Sequence, residues 1–348
     1  MKRYLFVLLL IAMVGCNATN NRVASPDGRL EATFNLDDSG TPYYTLSFDG
    51  VEVIKPSSLG LTTAECDYTT ALSLTAIEHS SKDETWETVW GQFATIRDNY
   101  NALRAELTTA EGKTLYIDMR LYDDGLALRY TLEGEGEANI LDELTTFGLT
   151  ADHDAHWVAG SYDDDEYGYM HTPLSGITCE AMALSGDRSR QLPYPAVNTP
   201  VSMVAEDATH IAIHEAALWH YPAMSLRYDA EHNAFISDLA AVGEVKSRVE
   251  LPFATPWRTI IVGDRAGALV ESTMILNLNE PCRLEDTSWI RPMKYVGVWW
   301  EMHLKNSTWD MDGSAPHCAT TENVNRYIDF AAENGFGGVL VEGWNVGW

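Results

Sequence analysis

Between residues 25 and 250 apolar and polar side chains alternate with a period of two, in short runs broken by turn residues. Arg29-Leu30-Glu31-Ala32-Thr33-Phe34 and Tyr43-Tyr44-Thr45-Leu46-Ser47-Phe48 are two such runs. This period sends successive side chains to opposite faces of a strand, one wetted and one buried. Turn pairs recur at roughly ten-residue spacing, among them Asp27-Gly28, Asp49-Gly50, Glu111-Gly112 and Asp124-Gly125, as antiparallel strands require. Residues 114–119, the Asp123-Asp124-Gly125 turn and residues 126–132 read as a hairpin. The pattern predicts a mainly β protein with a large antiparallel sandwich over 24–285, and no helix of useful length before about 267–276.

The character changes near Arg291. Lys294-Tyr295-Val296-Gly297-Val298-Trp299-Trp300 is continuously apolar after its lysine, as in a strand covered on both faces. A polar loop follows, and 321–334 then reads as an amphipathic helix with Val324, Tyr327, Ile328 and Ala331 on one side. Thr320 or Thr321 caps its start and Asn334-Gly335 stops it. Gly337-Gly338-Val339-Leu340-Val341-Glu342 is a second apolar strand. Strand, helix, strand is the repeat of a parallel sheet or (β/α)8 barrel. A barrel takes about 250 residues, and 291–348 offers only its first β-α-β segment. A lone unit leaves both strand edges unpaired, so the expectation is a truncated barrel and a chain that is part of a longer protein.

Charge narrows the partners. Asp and Glu number 51 against 23 Lys and Arg, a net charge of −28. Such an excess repels phosphate backbones, so no nucleic acid is expected as a partner. It suits an exported protein or a site for a hard cation. Residues 1–14 place Lys2 and Arg3 before an apolar run too short to span a bilayer. Gly15-Cys16 closes it in the manner of a bacterial lipoprotein signal, so 1–16 reads as a signal peptide with Cys16 lipidated; a plain secretory cleavage a few residues on leads to the same export. The predicted location is periplasmic or outer-membrane-anchored, with membrane contact only through that lipid. Cys66, Cys179, Cys282 and Cys318 show no CxxC spacing and read as isolated buried thiols.

Several segments carry a resemblance. They are Tyr122-Asp123-Asp124-Gly125-Leu126-Ala127-Leu128-Arg129-Tyr130, Ile213-His214-Glu215-Ala216-Ala217-Leu218 and Thr255-Pro256-Trp257-Arg258-Thr259-Ile260. Leu276-Asn277-Leu278-Asn279, Asp286-Thr287-Ser288-Trp289-Ile290-Arg291-Pro292, Trp299-Trp300 and Val341-Glu342-Gly343-Trp344-Asn345 follow in order. Together the chain resembles glycoside hydrolase family 97, exported bacterial α-glucosidases and α-galactosidases with an active-site calcium (Ca2+). The resemblance implies a galactose-mutarotase-like β-super-sandwich, a (β/α)8 catalytic barrel beginning within 291–348, and oligosaccharide substrates. It also implies that the catalytic acid and the base or nucleophile come from later barrel strands. No catalytic residue is therefore expected here, and the chain alone is expected to be inactive.

Glu215 is the metal-ligand candidate. It stands in the apolar run 211–218, where a carboxylate without a partner is costly to bury. The family's sandwich lends a Glu to calcium, an ion that favours hard oxygen ligands. His214 is expected on the opposite strand face in a structural role. Glu342 closes the second barrel strand, at the end where such barrels build their sites. Trp344 and Asn345 after it, and Trp300 and Glu301 at the matching end of the first strand, are the other substrate-binding candidates; a charge at a strand end is equally a solvated boundary. Asp163-Asp164-Asp165-Glu166 with Gly168 imitates an EF-hand loop, but Leu174 occupies the position of the bidentate Glu, so it reads as a solvated turn, with Tyr162, Tyr167 and Tyr169 nearby as a rim. Arg258 reads as a buried ion-pair partner tying the sandwich to its linker. The competing reading is a non-catalytic carbohydrate-binding sandwich lipoprotein.

Overall fold

The computed structural model describes residues 20–309 and 317–342. The signal segment, Cys16, Trp344 and Asn345 lie outside them. The alternation becomes two antiparallel sheets, of eight and eleven strands among the described residues. In the smaller sheet Leu30–Leu36 pairs with Pro42–Phe48, and each buries every second side chain: Leu30, Ala32 and Phe34 from one, Tyr44, Leu46 and Phe48 from the other. These belong to the same buried cluster as Leu115, Ile117, Leu128 and Tyr130 of the larger sheet. Burial of each such side chain contributes about 1.5–3 kcal/mol. The hairpin forms where the turn pair marks it, with Tyr122 opposite Gly125. Its second strand, Gly125–Glu143, is the longest and runs beside Trp257–Gly263, which pairs in turn with His210–Ala216.

Trp257–Gly263 is buried along its whole length. Ile260 enters the main cluster, whereas Trp257 and Ile261 join a smaller one with Met274 and Leu278. Both faces of this strand are therefore covered, the second by the short helices Ala266–Glu271 and Met274–Asn277 and the residue after them. A seven-residue helix, Cys179–Ser185, appears where no helical period announced it; the Thr178 side chain caps it by accepting from Ala181 N at 3.1 Å.

The described residues divide into two compact units, one reaching Trp86 and continuing over Ile96–Pro281, the other combining Glu87–Thr95 with residues from Cys282 onward. In the second, Tyr295–Gly297 and Gly338–Leu340 pair in parallel with the helix Thr321–Glu333 between them in the chain. Thr320 caps that helix by accepting from Asn323 N, and Gly335 follows it at φ 70°. The first strand is shorter than its apolar run. Its ladder ends where Val298 N donates to Leu340 O, and Trp300–His303 then turns into a short helix. Without a longer partner an apolar run has no ladder to extend. The thiols are free, but only Cys318 is buried; Cys66 and Cys179 are half-buried and Cys282 is exposed, which corrects the expectation of four buried cysteines.

Candidate functional site

Cross-strand register places Glu215 opposite Arg258, and Glu143 ends the neighbouring long strand. Arg258 is fully buried and bridges both carboxylates. Its Nη1 donates to Glu215 Oε2 at 2.5 Å, while Nε and Nη2 donate to Glu143 Oε1 and Oε2, each at 2.7 Å. The remaining capacity of Glu143 is used by Thr145 Oγ1 at 2.9 Å and the Tyr221 hydroxyl at 3.1 Å. Tyr130 adds a hydrogen bond to Thr145 and accepts from Gly60 N. Arg258 thus joins two sandwich strands to each other rather than sandwich to linker. Burial lifts the Glu215 carboxyl above its ordinary range, against the pull of Arg258. Arg258, between two carboxylates, is held charged.

Glu215 Oε1 accepts from Met224 N at 3.1 Å. Each of its oxygens carries one such bond, and an ionised carboxylate has about four acceptor sites, so a cation can still be bound. Two carboxylates around one guanidinium also leave one negative charge in excess. Glu215 borders a cavity of about 220 Å³ shared with His214, Asn198 and Asp163, Asp164 and Asp165. His214 Nδ1 lies 3.1 Å from Thr199 Oγ1, and burial lowers its pKa. The acidic turn is tied down: Asn198 donates to Asp164 O and to the Asp165 carboxylate, and receives Ser161 N and Ser225 Oγ. Of its neighbouring tyrosines, Tyr162 and Tyr169 are exposed and Tyr167 is buried. Among the described residues no three His, Cys, Asp or Glu side chains are grouped to hold one metal ion. Calcium takes about 6–8 oxygens, so Glu215 fits as a single contributor to such a site and not as the site itself.

Immediately after the Glu215 strand, Ala217 and His220 adopt φ 55° and 51°. Non-glycine residues rarely take this left-handed backbone, at a cost of about 1–3 kcal/mol each, and they concentrate at functional sites. The turn leaves Leu218 and Trp219 exposed, Trp219 at 64%. Composition and alternation gave no sign of Trp219; its place four residues after Glu215 was the available signal.

The other candidates lie in the second unit. Trp300 is 65% exposed, with its ring 5.5 Å from that of His303. Glu301 is engaged by Arg326 Nη2 and by Asn323 Nδ2 at 2.9 Å, both on the helix Thr321–Glu333. Glu342 is exposed just past Gly338–Leu340. Parallel pairing puts the carboxyl ends of both strands, and so Trp300 and Glu342, at the same end of the small sheet.

Residues 23–281 match the model described as Glycosyl-hydrolase 97 N-terminal, and residues 299–348 the one described as Glycoside hydrolase 97. A retaining alpha-galactosidase of Bacteroides thetaiotaomicron is 26% identical over 375 residues, covering 99% of this chain and 54% of its own length. A probable retaining alpha-galactosidase of Streptomyces bingchenggensis is 28% identical, covering 92% of this chain and 46% of its own. A family 97 enzyme of Pseudoalteromonas sp. strain K8, solved with acarbose and as a variant with panose, is 35% identical with a TM-score of 0.80, covering 94% of this chain and 48% of that one. The chain therefore spans about half the length of the relatives it matches. On these matches it belongs to glycoside hydrolase family 97 and carries that family's N-terminal region.

Proposed function

We propose that this chain is the N-terminal region of a calcium-assisted α-glycosidase that releases terminal α-glucosyl or α-galactosyl residues from oligosaccharides. The observation that carries the reading is Glu215: a buried carboxylate, fixed by Arg258, that borders a cavity and retains acceptor capacity for a cation. Bound calcium would supply positive charge that holds sugar hydroxyls and offsets charge developing in the reaction. Within this chain Glu143 and Arg258 keep the Glu215 carboxylate in one orientation, and Met224 N fixes its second oxygen. Trp219 offers a ring for a sugar face. Trp300, Glu301, Glu342, Trp344 and Asn345 are the proposed barrel-side contacts.

The general acid and the base or nucleophile are assigned to barrel strands beyond this chain, where two carboxylates flank the glycosidic bond. On that assignment the chain alone binds sugar weakly and does not cleave it. Lipidation at Cys16 would place the enzyme at the membrane surface in the periplasmic space, where oligosaccharides arrive. α-Glucosides are the first substrates to try, because the 35% identical relative was captured with acarbose and panose. The test is hydrolysis of nitrophenyl α-glucoside and α-galactoside by the enzyme carrying this region, before and after chelation. Activity that chelation abolishes and added calcium restores supports the proposal; sugar binding with no hydrolysis of either substrate favours a non-catalytic binding protein instead.

A further inference from the structure

A second cavity, of about 270 Å³, collects three arginines from adjacent strands of the larger sheet. Register sets them in a row, with Arg104 opposite Asp118 and Asp118 opposite Arg129. Arg120, two residues from Asp118, shares its face by the strand period. Asp118 cannot satisfy all three. Its Oδ1 accepts from Arg104 Nε at 2.6 Å, and its Oδ2 from Thr131 Oγ1 at 2.8 Å and Arg104 Nη2 at 3.3 Å. Arg129 Nε comes no nearer to Asp118 than 3.5 Å and, although buried, has no hydrogen-bond partner among the described residues.

Arg120 makes no ion pair among the described residues; its guanidinium lies 4.6 Å from the Tyr100 ring centre and 4.7 Å from that of Trp257. Arg129 lies over the same indole at 4.2 Å. One ring thus carries two like charges. Cation–π contact offsets part of that repulsion, but it is no substitute for an anion. Burial depresses the Arg129 pKa and the Arg120 charge adds to this, against the pull of Asp118 and Glu280. Glu78 is exposed at the rim of the cavity, and His79 there bonds Asn20 O through Nε2 at 2.8 Å. In a chain of net charge −28, Arg120 with no ion pair among the described residues, beside Arg129 held only by a 3.5 Å ion pair to an aspartate already bonded to Arg104 and Thr131, is a departure that asks for a ligand.

We infer that this cavity is a receptor for a small oxyanion, the carboxylate, sulfate or phosphate class, held by Arg120 and the open Nε–H of Arg129. Guanidinium forks match the geometry of such groups. A neutral sugar is a poor occupant, because Trp257 is 1% exposed and its ring is covered by guanidinium groups. The inference is independent of the glycosidase proposal.

The test is thermal unfolding and calorimetric titration with sodium sulfate, phosphate and acetate, against sodium chloride at equal ionic strength. Saturable stabilisation beyond that of chloride is expected. Arg120→Gln and Arg129→Gln should each weaken it roughly tenfold or more, whereas Arg227→Gln, at an exposed arginine of the smaller sheet, should not. Arg120→Gln leaves the Arg104–Asp118 pair intact and carries the test if Arg129→Gln fails to fold. Tighter binding of acetate assigns a carboxylate source, and tighter binding of sulfate or phosphate a tetrahedral one. A response equal to that of chloride, or equal in wild type and the Arg120 variant, overturns the inference.

Discussion

Glu143 and Glu215 share one guanidinium: Arg258 reaches Glu143 through Nε and Nη2 at 2.7 Å and Glu215 through Nη1 at 2.5 Å. The three side chains come from three adjacent strands of the larger sheet, so the network both staples the sheet and sets the direction of the carboxylate at the cavity. Its desolvation is offset only while every partner is present.

Arg258→Met should therefore destabilise the protein by about 3–5 kcal/mol, because two carboxylates are left buried without a counter-charge. Urea unfolding followed by tryptophan fluorescence measures this. A loss below about 1 kcal/mol, the size expected of an exposed pair, would contradict the role given to the network.

Trp219→Ala should raise KM for α-glucosides, or weaken acarbose binding, with little effect on stability, since the ring is exposed. Trp219→Phe should recover most of the loss by keeping a stacking face. Equal affinity in all three proteins removes Trp219 from the site and leaves the remainder of the assignment standing.

Asp118 gives the acid limb of stability a definite sign. Burial alone would raise its pKa, but hydrogen bonds from Arg104 and Thr131 and the charges of Arg104 and Arg129 bring it below the ordinary value. A folded pKa below the unfolded one contributes stability that is present above the unfolded value and lost as pH falls through the folded one. Asp118→Asn should lower stability at neutral pH and flatten its decline between about pH 5 and pH 2. Urea midpoints across that range decide it; parallel curves for the two proteins would refute the assignment.

The sandwich was legible because each strand with one wet face writes a period of two, as Leu30–Leu36 and Pro42–Phe48 do. Glu215 stood out as a charge in an apolar run. Its partner network did not, because Glu143 lies 115 residues from Arg258 in the chain and only sheet register brings them together. The arginine row around Trp257 is likewise a product of register across four strands. The run 294–300 misled in another way: apolar content signals burial, but ladder partners decide strand length, and here they end at Leu340. Trp219 escaped notice because the backbone turn that exposes it leaves no periodic trace.

The most direct test is the calcium dependence of α-glucoside hydrolysis in the enzyme bearing this region, compared between wild type and Glu215→Gln. The amide retains the shape and can still accept from Met224 N, while the charge is lost. The account predicts that wild type, stripped of metal, regains activity on titration with calcium, and that the variant needs far more calcium or does not recover. Identical calcium titrations for the two proteins would show that Glu215 does not serve the metal.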